Sequence, residues 1–208
     1  MKKFNFNEII LEDIKKDEGK KYILFLLNSL NQKPILGKTK LMKELFFISN
    51  NIPSLKKLFN FEADNYGPSS DVVSRFLEDL NRYNLVYLNN KHKHKNSNYW
   101  EYSLTDFGKE TLNKIEDDYD RELINDMKTL FDGLTTDESL AITYFTFPEM
   151  TEESLVKEKI EKKREKLGLK LYKKNKVSLA KASQIAGMSI NSFLEILKKE
   201  KIPVELSI

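Results

Sequence analysis

The 208-residue chain contains no cysteine, which removes disulfide staples, thiolate metal sites and a cysteine nucleophile together. Only seven glycines and five prolines interrupt it, so helices have few breakers to stop them. Long apolar runs are missing as well. The longest, YILFLL at 22–27, falls far short of the roughly 20 residues that span a bilayer. The opening MKKFNFNEIILEDIKKDEGKK has two early lysines, but Asn, Glu and Asp interrupt its apolar positions and no secretory core forms. The expectation is a cytoplasmic protein with no membrane partner.

Histidine is scarce too. His92 and His94 are the two in the chain, both inside the tract KHKHK. Two residues apart on a strand they would share a face, but a metal site needs three or four ligands, and the neighbouring lysines oppose a cation. No metal site is expected there. A phosphate-binding loop fails on spacing: ILGKT would need another glycine five residues before Gly37, where Gln32 stands. Paired acids such as Asp117 and Asp118 belong to a densely acidic stretch, which reads as solvated surface. No catalytic constellation, and hence no enzyme and no cofactor, is expected.

What the chain does have is aromatic apolar content (13 Phe, 9 Tyr) and an uneven distribution of charge around a net +3. Residues 106–138 hold eleven acids against four bases, and residues 151–176 hold ten bases against five acids. The middle is acidic and the approach to the C-terminus is basic.

Periodicity organises the rest. In EGKKYILFLLNSLNQ, 18–32, Ile23, Leu26, Leu27 and Leu30 form a helical stripe that Pro34 should end. KTKLMKELFFIS, 38–49, resumes the period, and SSDVVSRFLEDLNRYN follows with Ser69 or Ser70 as cap and Val73, Phe76, Leu77 and Leu80 as buried face. Two β-rich stretches, LVYLNN and NYWEYSLT, then flank KHKHKNS as a long-looped hairpin, and TDFGKETLNKIEDD returns to helix. Three helices followed by a two-stranded wing is the winged variant of helix-turn-helix.

From about 119 the pattern is helical again, ending in TEESLVKEKIEKKREKLGLKLYKKN, whose sparse apolar residues predict a solvated connector. In VSLAKASQIAGMSINSFLEILKKEKIPVEL, Ala182, Ala186, Met188, Ile190, Phe193 and Ile196 are the expected buried positions of a compact helix-turn-helix. Gly187 falls at the turn, Ser183 is small enough for close helix contact, and Ser189 can cap the second helix. The predicted fold is therefore mainly α: a winged helix-turn-helix domain with a β-hairpin wing at 1–115, a charged helical connector at 116–176, and a C-terminal helix-turn-helix at 177–208.

The segment GKTKLMKELFFIS…FEADNYGPSSDVVSRFLEDLNRYNLV…YSLTDFGKE resembles the YwgA-like winged-helix proteins of archaea and bacteria. It is more distantly similar to the Panacea domain of SocA-type antitoxins, marked by an LQKLLYF-type helix and an aromatic YGP turn. Leu41 to Phe47 and Tyr66-Gly67-Pro68 match those marks. VSLAKASQIAGMSINSFLEILKKEKIPV resembles a small prokaryotic antitoxin-like family with the pattern SLGKAAELAGMS…FLELL…GIPV. Ala180 replaces the usual Gly, Ser183 an Ala and Lys201 a Gly. Both resemblances imply regulators or antitoxins, and neither implies catalysis.

The candidate partner is double-stranded DNA. Wing residues Lys91, Lys93 and Lys95, with Lys38 and Lys40 near a helix N-terminus, would contact phosphates; Ser70, Ser74 and Arg75 would reach base edges. In the second motif Asn191, Ser192 and Lys198 are the candidates. Against this, the third helix carries Asp71, Glu78 and Asp79 against Arg75 and Arg82, more acid than a groove reader should have. The alternative is an antitoxin or adaptor that binds a toxin-like protein, with 106–138 as docking face or as a mask for the basic connector. A helix pair too small to bury a core alone, together with the resemblance, leads to the expectation of a homodimer.

Overall fold

A computed structural model describes residues 6–94, 97–115 and 120–204; for 91–94 and 97–99 the description is of the backbone. The elements run α1 (Phe6–Lys16), α2 (Glu18–Gln32), β1 (Ile35–Leu36), α3 (Lys38–Asn51), α4 (Pro53–Phe59), α5 (Asp71–Arg82), β2 (Val86–His94), β3 (Ser97–Leu104), α6 (Asp106–Leu112), α7 (Arg121–Phe131), α8 (Thr136–Thr146), a 3-10 turn (Pro148–Thr151), α9 (Lys157–Glu161), α10 (Arg164–Lys173), α11 (Leu179–Ala186) and α12 (Ile190–Lys199). The fold is mainly helical with one small antiparallel sheet of order β1-β3-β2. Two compact units divide the chain: residues 1–61 with 69–132, and residues 62–68 with 133–208.

In the first unit α2 is central. All six residues of YILFLL are buried, so this helix is apolar all round rather than on one stripe. Asp17 caps its start, accepting from the Lys20 amide at 3.0 Å. The helical backbone ends before Pro34. Ser29 leaves helical geometry, and Leu30, Asn31 and Gln32 all have positive φ (50°, 53° and 59°). Leu30 is consequently half-buried rather than part of the stripe. The buried ammonium of Lys128, from α7, closes the helix by donating to the carbonyls of Leu26 (2.9 Å) and Ser29 (3.2 Å). A buried cation thus does what a C-terminal glycine or water would otherwise do.

α3 has the predicted face, and α5 has it apart from Phe76, which is half-buried. Leu41, Leu45 and Ile48 are buried on α3, and Val73, Leu77 and Leu80 on α5. The hairpin follows α5 through Asn84 in the left-handed region (φ 56°), with the Leu85 amide closing back on Leu80 at 2.9 Å. The sheet's register sets Val86 opposite Leu104 and Leu88 opposite Tyr102 on the core face. The pairing continues through Lys91 opposite Tyr99 and His92 opposite Asn98, so the predicted loop is mostly strand. Thr105 caps α6 and also donates to the Asn84 carbonyl at 2.6 Å. Gly108 is obligatory there, because a Cβ would sit 2.1 Å from the Leu85 carbonyl oxygen.

Three elements were not foreseen. α1 buries only Ile10 and Ile14, too little periodicity to stand out from its charges. α4 is seven residues started by Pro53 at its first turn, where proline's fixed φ suits a helix. β1 is two residues long and exists through its pairing with β3, Ile35 opposite Tyr102.

The stretch expected as a charged connector, 116–176, is divided. α7 buries Ile124, Lys128 and Phe131 in the first unit. α8 to α10 belong to the second unit and bury Leu140, Ile142, Tyr144, Ile160, Leu167, Leu171 and Tyr172. Sparse apolar residues suffice because α10 meets α11 through small ones: a Cβ on Gly168 would lie 2.6 Å from the Ala182 carbonyl and 3.0 Å from the Ala186 methyl. α8 begins with a reciprocal cap between Thr135 and Glu138, and Glu138, 2% exposed, also takes Lys174 at 2.8 Å.

α11 and α12 are joined at Gly187 (φ 75°), and capped by Ser178 and Ser189. Arg164 closes the C-terminal end of α11, donating to the carbonyls of Ile185 and Gln184 at 3.0 Å each while lying 4.4 Å over the Phe145 ring. Of the expected core positions, Ala182, Ala186 and Phe193 are buried, Met188 and Ile196 are half-buried, and Ile190 is 44% exposed. Ile185 and Leu197 take the missing places, since Phe193 and Leu197 at i, i+4 define the inward face of α12.

Candidate nucleic-acid interface

α5 is the first candidate reader. Ser70 is not available to a base edge: it is 2% exposed, accepts from the Val73 amide at 3.1 Å as N-cap, and donates to the Phe59 carbonyl. Capping and base contact draw on the same hydroxyl, and the cap has it. Ser74 is half-buried and donates back to the Ser70 carbonyl at 3.0 Å, a local bond within the helix. Arg75 is exposed.

The acids of this helix have a cation from another helix beside them. Asp79 lies 3.9 Å from the buried Lys20 and 3.6 Å from Arg82. Lys20 also holds Asp13 at 2.9 Å and Asp17 at 3.6 Å, and sits 5.8 Å over Phe76 and 5.4 Å over Tyr83. Burial pushes its pKa down, but the hydrogen bond and charge of Asp13 and the charge of Asp17 outweigh this and hold it above the usual lysine range. Lys20 is thus shared among three aspartates and Arg82 is itself paired with Asp79, so α5, with Asp71, Glu78 and Asp79 against Arg75 and Arg82, keeps its excess of one acid.

Lys38 is exposed at the first position of α3, where Gly37 caps without a side chain. Lys40 is half-buried and stands one turn before Glu44, on whose carboxyl its charge acts. Lys95 lies outside the described residues, Lys91 enters through its backbone pairing with Tyr99, and Lys93 falls at the register shift between His92 and His94 in β2.

Glu44 itself had no signature in the sequence, where it is one acid among the lysines of an amphipathic helix. It is 0% exposed, and neither carboxyl oxygen has a hydrogen bond. Burial is the main reason its pKa is pushed up to about 8, with Lys40 and Lys128 pulling it down and Asp132 pushing it up. Burial also holds the Lys128 ammonium down at about 8, against the pull of Glu44.

In the second unit α12 presents Ile190, Asn191, Ser192, Glu195, Lys198 and Lys199 to solvent. The first turn is ordered by Ser189, whose hydroxyl accepts from the Ser192 amide at 3.1 Å and bonds the Ser192 hydroxyl at 2.9 Å. Residues 157–204 contain fourteen bases against five acids. A good part of that charge holds the unit together. Lys159 and Lys163 pair with Asp137 at 3.0 and 2.8 Å, Lys174 with Glu138, Lys173 with Glu200 at 3.9 Å, and Arg164 caps α11. Two acids of the 106–138 stretch thus bind lysines of the basic one. Lys198, Lys199 and Lys201 are exposed around the end of α12.

No helix among the described residues is long and apolar enough to cross a membrane. No curated protein matches the chain. The model of an uncharacterised protein family (UPF0175) matches residues 143–208, about a third of the chain, and takes in the whole segment that carries the C-terminal resemblance.

Proposed function

We propose that the chain is a DNA-binding regulator, with a winged helix in its first unit and a helix-turn-helix in its second. The observation that carries this reading is the α11–Gly187–α12 pair. It presents Asn191 and Ser192 on the ordered first turn of an exposed helix, in a stretch with a large excess of bases. Amide and hydroxyl groups at the start of such a helix suit base edges, and Lys198 and its neighbours suit phosphates. In the first unit the order helix, strand, three helices, hairpin, with the short α4 between α3 and α5, and the sheet order β1-β3-β2 support a winged helix. Its exposed Lys38 and Arg75 and the wing lysines are the corresponding contacts. The functional form is a homodimer, as two half-sites would require.

The test is fluorescence anisotropy of the full chain on double-stranded sites selected from a random pool, titrated with salt. Lys198→Ala with Lys199→Ala should lower the slope of log K against log salt by roughly 2, about 0.9 per phosphate contact. Asn191→Ala should weaken the selected site while sparing random DNA. Failure to select any sequence at low salt sinks the reading. The second reading, an antitoxin or adaptor for a toxin-like protein, is favoured by the acid excess of α5, which offers no net attraction to phosphates.

A further inference from the structure

Leu155 is the most exposed large apolar side chain among the described residues, at 77%. It stands on a segment pinned from several sides. Its amide donates to the Asn65 carbonyl at 3.1 Å, the Ser154 amide donates to Thr151 at 3.1 Å, and the Val156 amide donates to the Ser154 hydroxyl at 3.3 Å. The Ser154 hydroxyl is in turn bonded to the Tyr144 hydroxyl at 2.6 Å. Tyr66, next to the Asn65 that receives Leu155, is 48% exposed. Its turn is set by Gly67 at φ 78°, whose amide donates to the Asp64 carbonyl at 2.8 Å. Two sequence-distant segments of the second unit therefore meet at 65 and 155, each offering one large apolar side chain to solvent.

Exposed acids occupy the flanking positions: Asp64 beside the tyrosine turn, and Glu149, Glu152 and Glu153 leading into Leu155. Lys157 is the exposed base of the same stretch. A nucleic acid or an anionic membrane would be repelled by an excess of four exposed carboxylates over one ammonium, whereas a cationic protein surface would be attracted and oriented. Because hydrogen bonds already hold both backbones, little ordering would be lost on binding.

We propose that Tyr66 and Leu155 are the apolar anchor, and Asp64, Glu149, Glu152 and Glu153 the acidic rim, of a docking surface for a basic protein partner. The surface uses none of the residues assigned to DNA, so either assignment can fail without the other.

The experiment places a photocrosslinking benzoylphenylalanine at 66 or at 155 of the full chain in cells and identifies the adduct by mass spectrometry. The adduct protein is then purified and its affinity measured against the unmodified chain, Leu155→Ala and Glu152→Lys with Glu153→Lys. One protein with a basic surface should be captured from both positions. Leu155→Ala should weaken its binding roughly 10- to 100-fold, the equivalent of burying one leucine side chain. The charge reversal should weaken it most at low salt. Because Leu155 is exposed, the melting temperature and the DNA affinity of Leu155→Ala should match the parent. The proposal is overturned by no protein adduct, by adducts to a second copy of this chain alone, or by affinities within twofold of the parent in both variants.

Discussion

Replacing Glu44 by methionine should stabilise the first unit at pH 8 and abolish most of its sensitivity to pH between 5 and 8. Glu44 is fully buried with both oxygens unbonded, and burial above all pushes its pKa from 4.5 up to about 8. The folded state then holds its proton more tightly than the unfolded chain does. Stability contributed by the neutral acid is complete below pH 4.5 and is lost as pH rises towards 8. At about 1.4 kcal/mol per pH unit the loss has a ceiling on the order of 5 kcal/mol. Lys128 acts in the opposite sense over the next interval. Its folded pKa of about 8 lies below the ordinary 10.5, so stability returns as pH rises from 8 to 10.5. The parent protein should therefore show a stability minimum near pH 8. Methionine fills a similar volume with no charge to desolvate. The assay is thermal unfolding of the parent and Glu44→Met from pH 5 to 10, where each kcal/mol corresponds to roughly 2–4 °C in a chain of this size. A parent curve that rises from pH 5 to 8, or a variant that keeps the parent's slope, would refute the reasoning.

Lys128→Met should cost the first unit about 1–3 kcal/mol in urea unfolding, because it takes the ammonium from the Ser29 carbonyl and leaves the Leu26 carbonyl with the Ser29 hydroxyl as its side-chain donor. Gly108→Ala should cost at least about 3 kcal/mol, since the new methyl meets the Leu85 backbone oxygen rather than a side chain that could turn away; full stability in the variant would contradict that contact. Glu138 should make the second unit acid-sensitive. Burial raises its pKa, but the bonds from Lys174 and Thr135 outweigh this and hold it below the ordinary carboxylate range. Its contribution is complete above pH 4.5 and lost as pH falls further, and Glu138→Gln should remove about 1–2 kcal/mol at pH 7 and flatten the acid limb in a pH series of melts.

The parts of the candidate interface visible in one dimension were those built from local rules. Ser70 and Ser189 cap helices because an oxygen three residues before an amide can reach it, and this needs no tertiary context. Gly187 at a left-handed turn and the inward stripe of α5 were legible for the same reason. Ser70 also shows the limit of such reading, since one hydroxyl suited both a cap and a base contact until its burial decided between them. The buried partner of Asp79 was not legible either, because the cation beside it comes from α2, about sixty positions away in sequence.

Composition and periodicity alone determined a mainly helical chain, free of cysteine chemistry, with a hairpin after the helix of Val73, Leu77 and Leu80 and a glycine-turned helix pair at its end. Tertiary structure alone decided which charges are free. It buried Glu44 and Lys128 together, spent much of the basic stretch on Asp137, Glu138 and the end of α11, and brought the Leu155 amide to the Asn65 carbonyl. Backbone hydrogen bonds and caps act over three or four residues and leave their mark in the local sequence. Burial and ion pairing depend on which distant segments meet, and no local pattern records that.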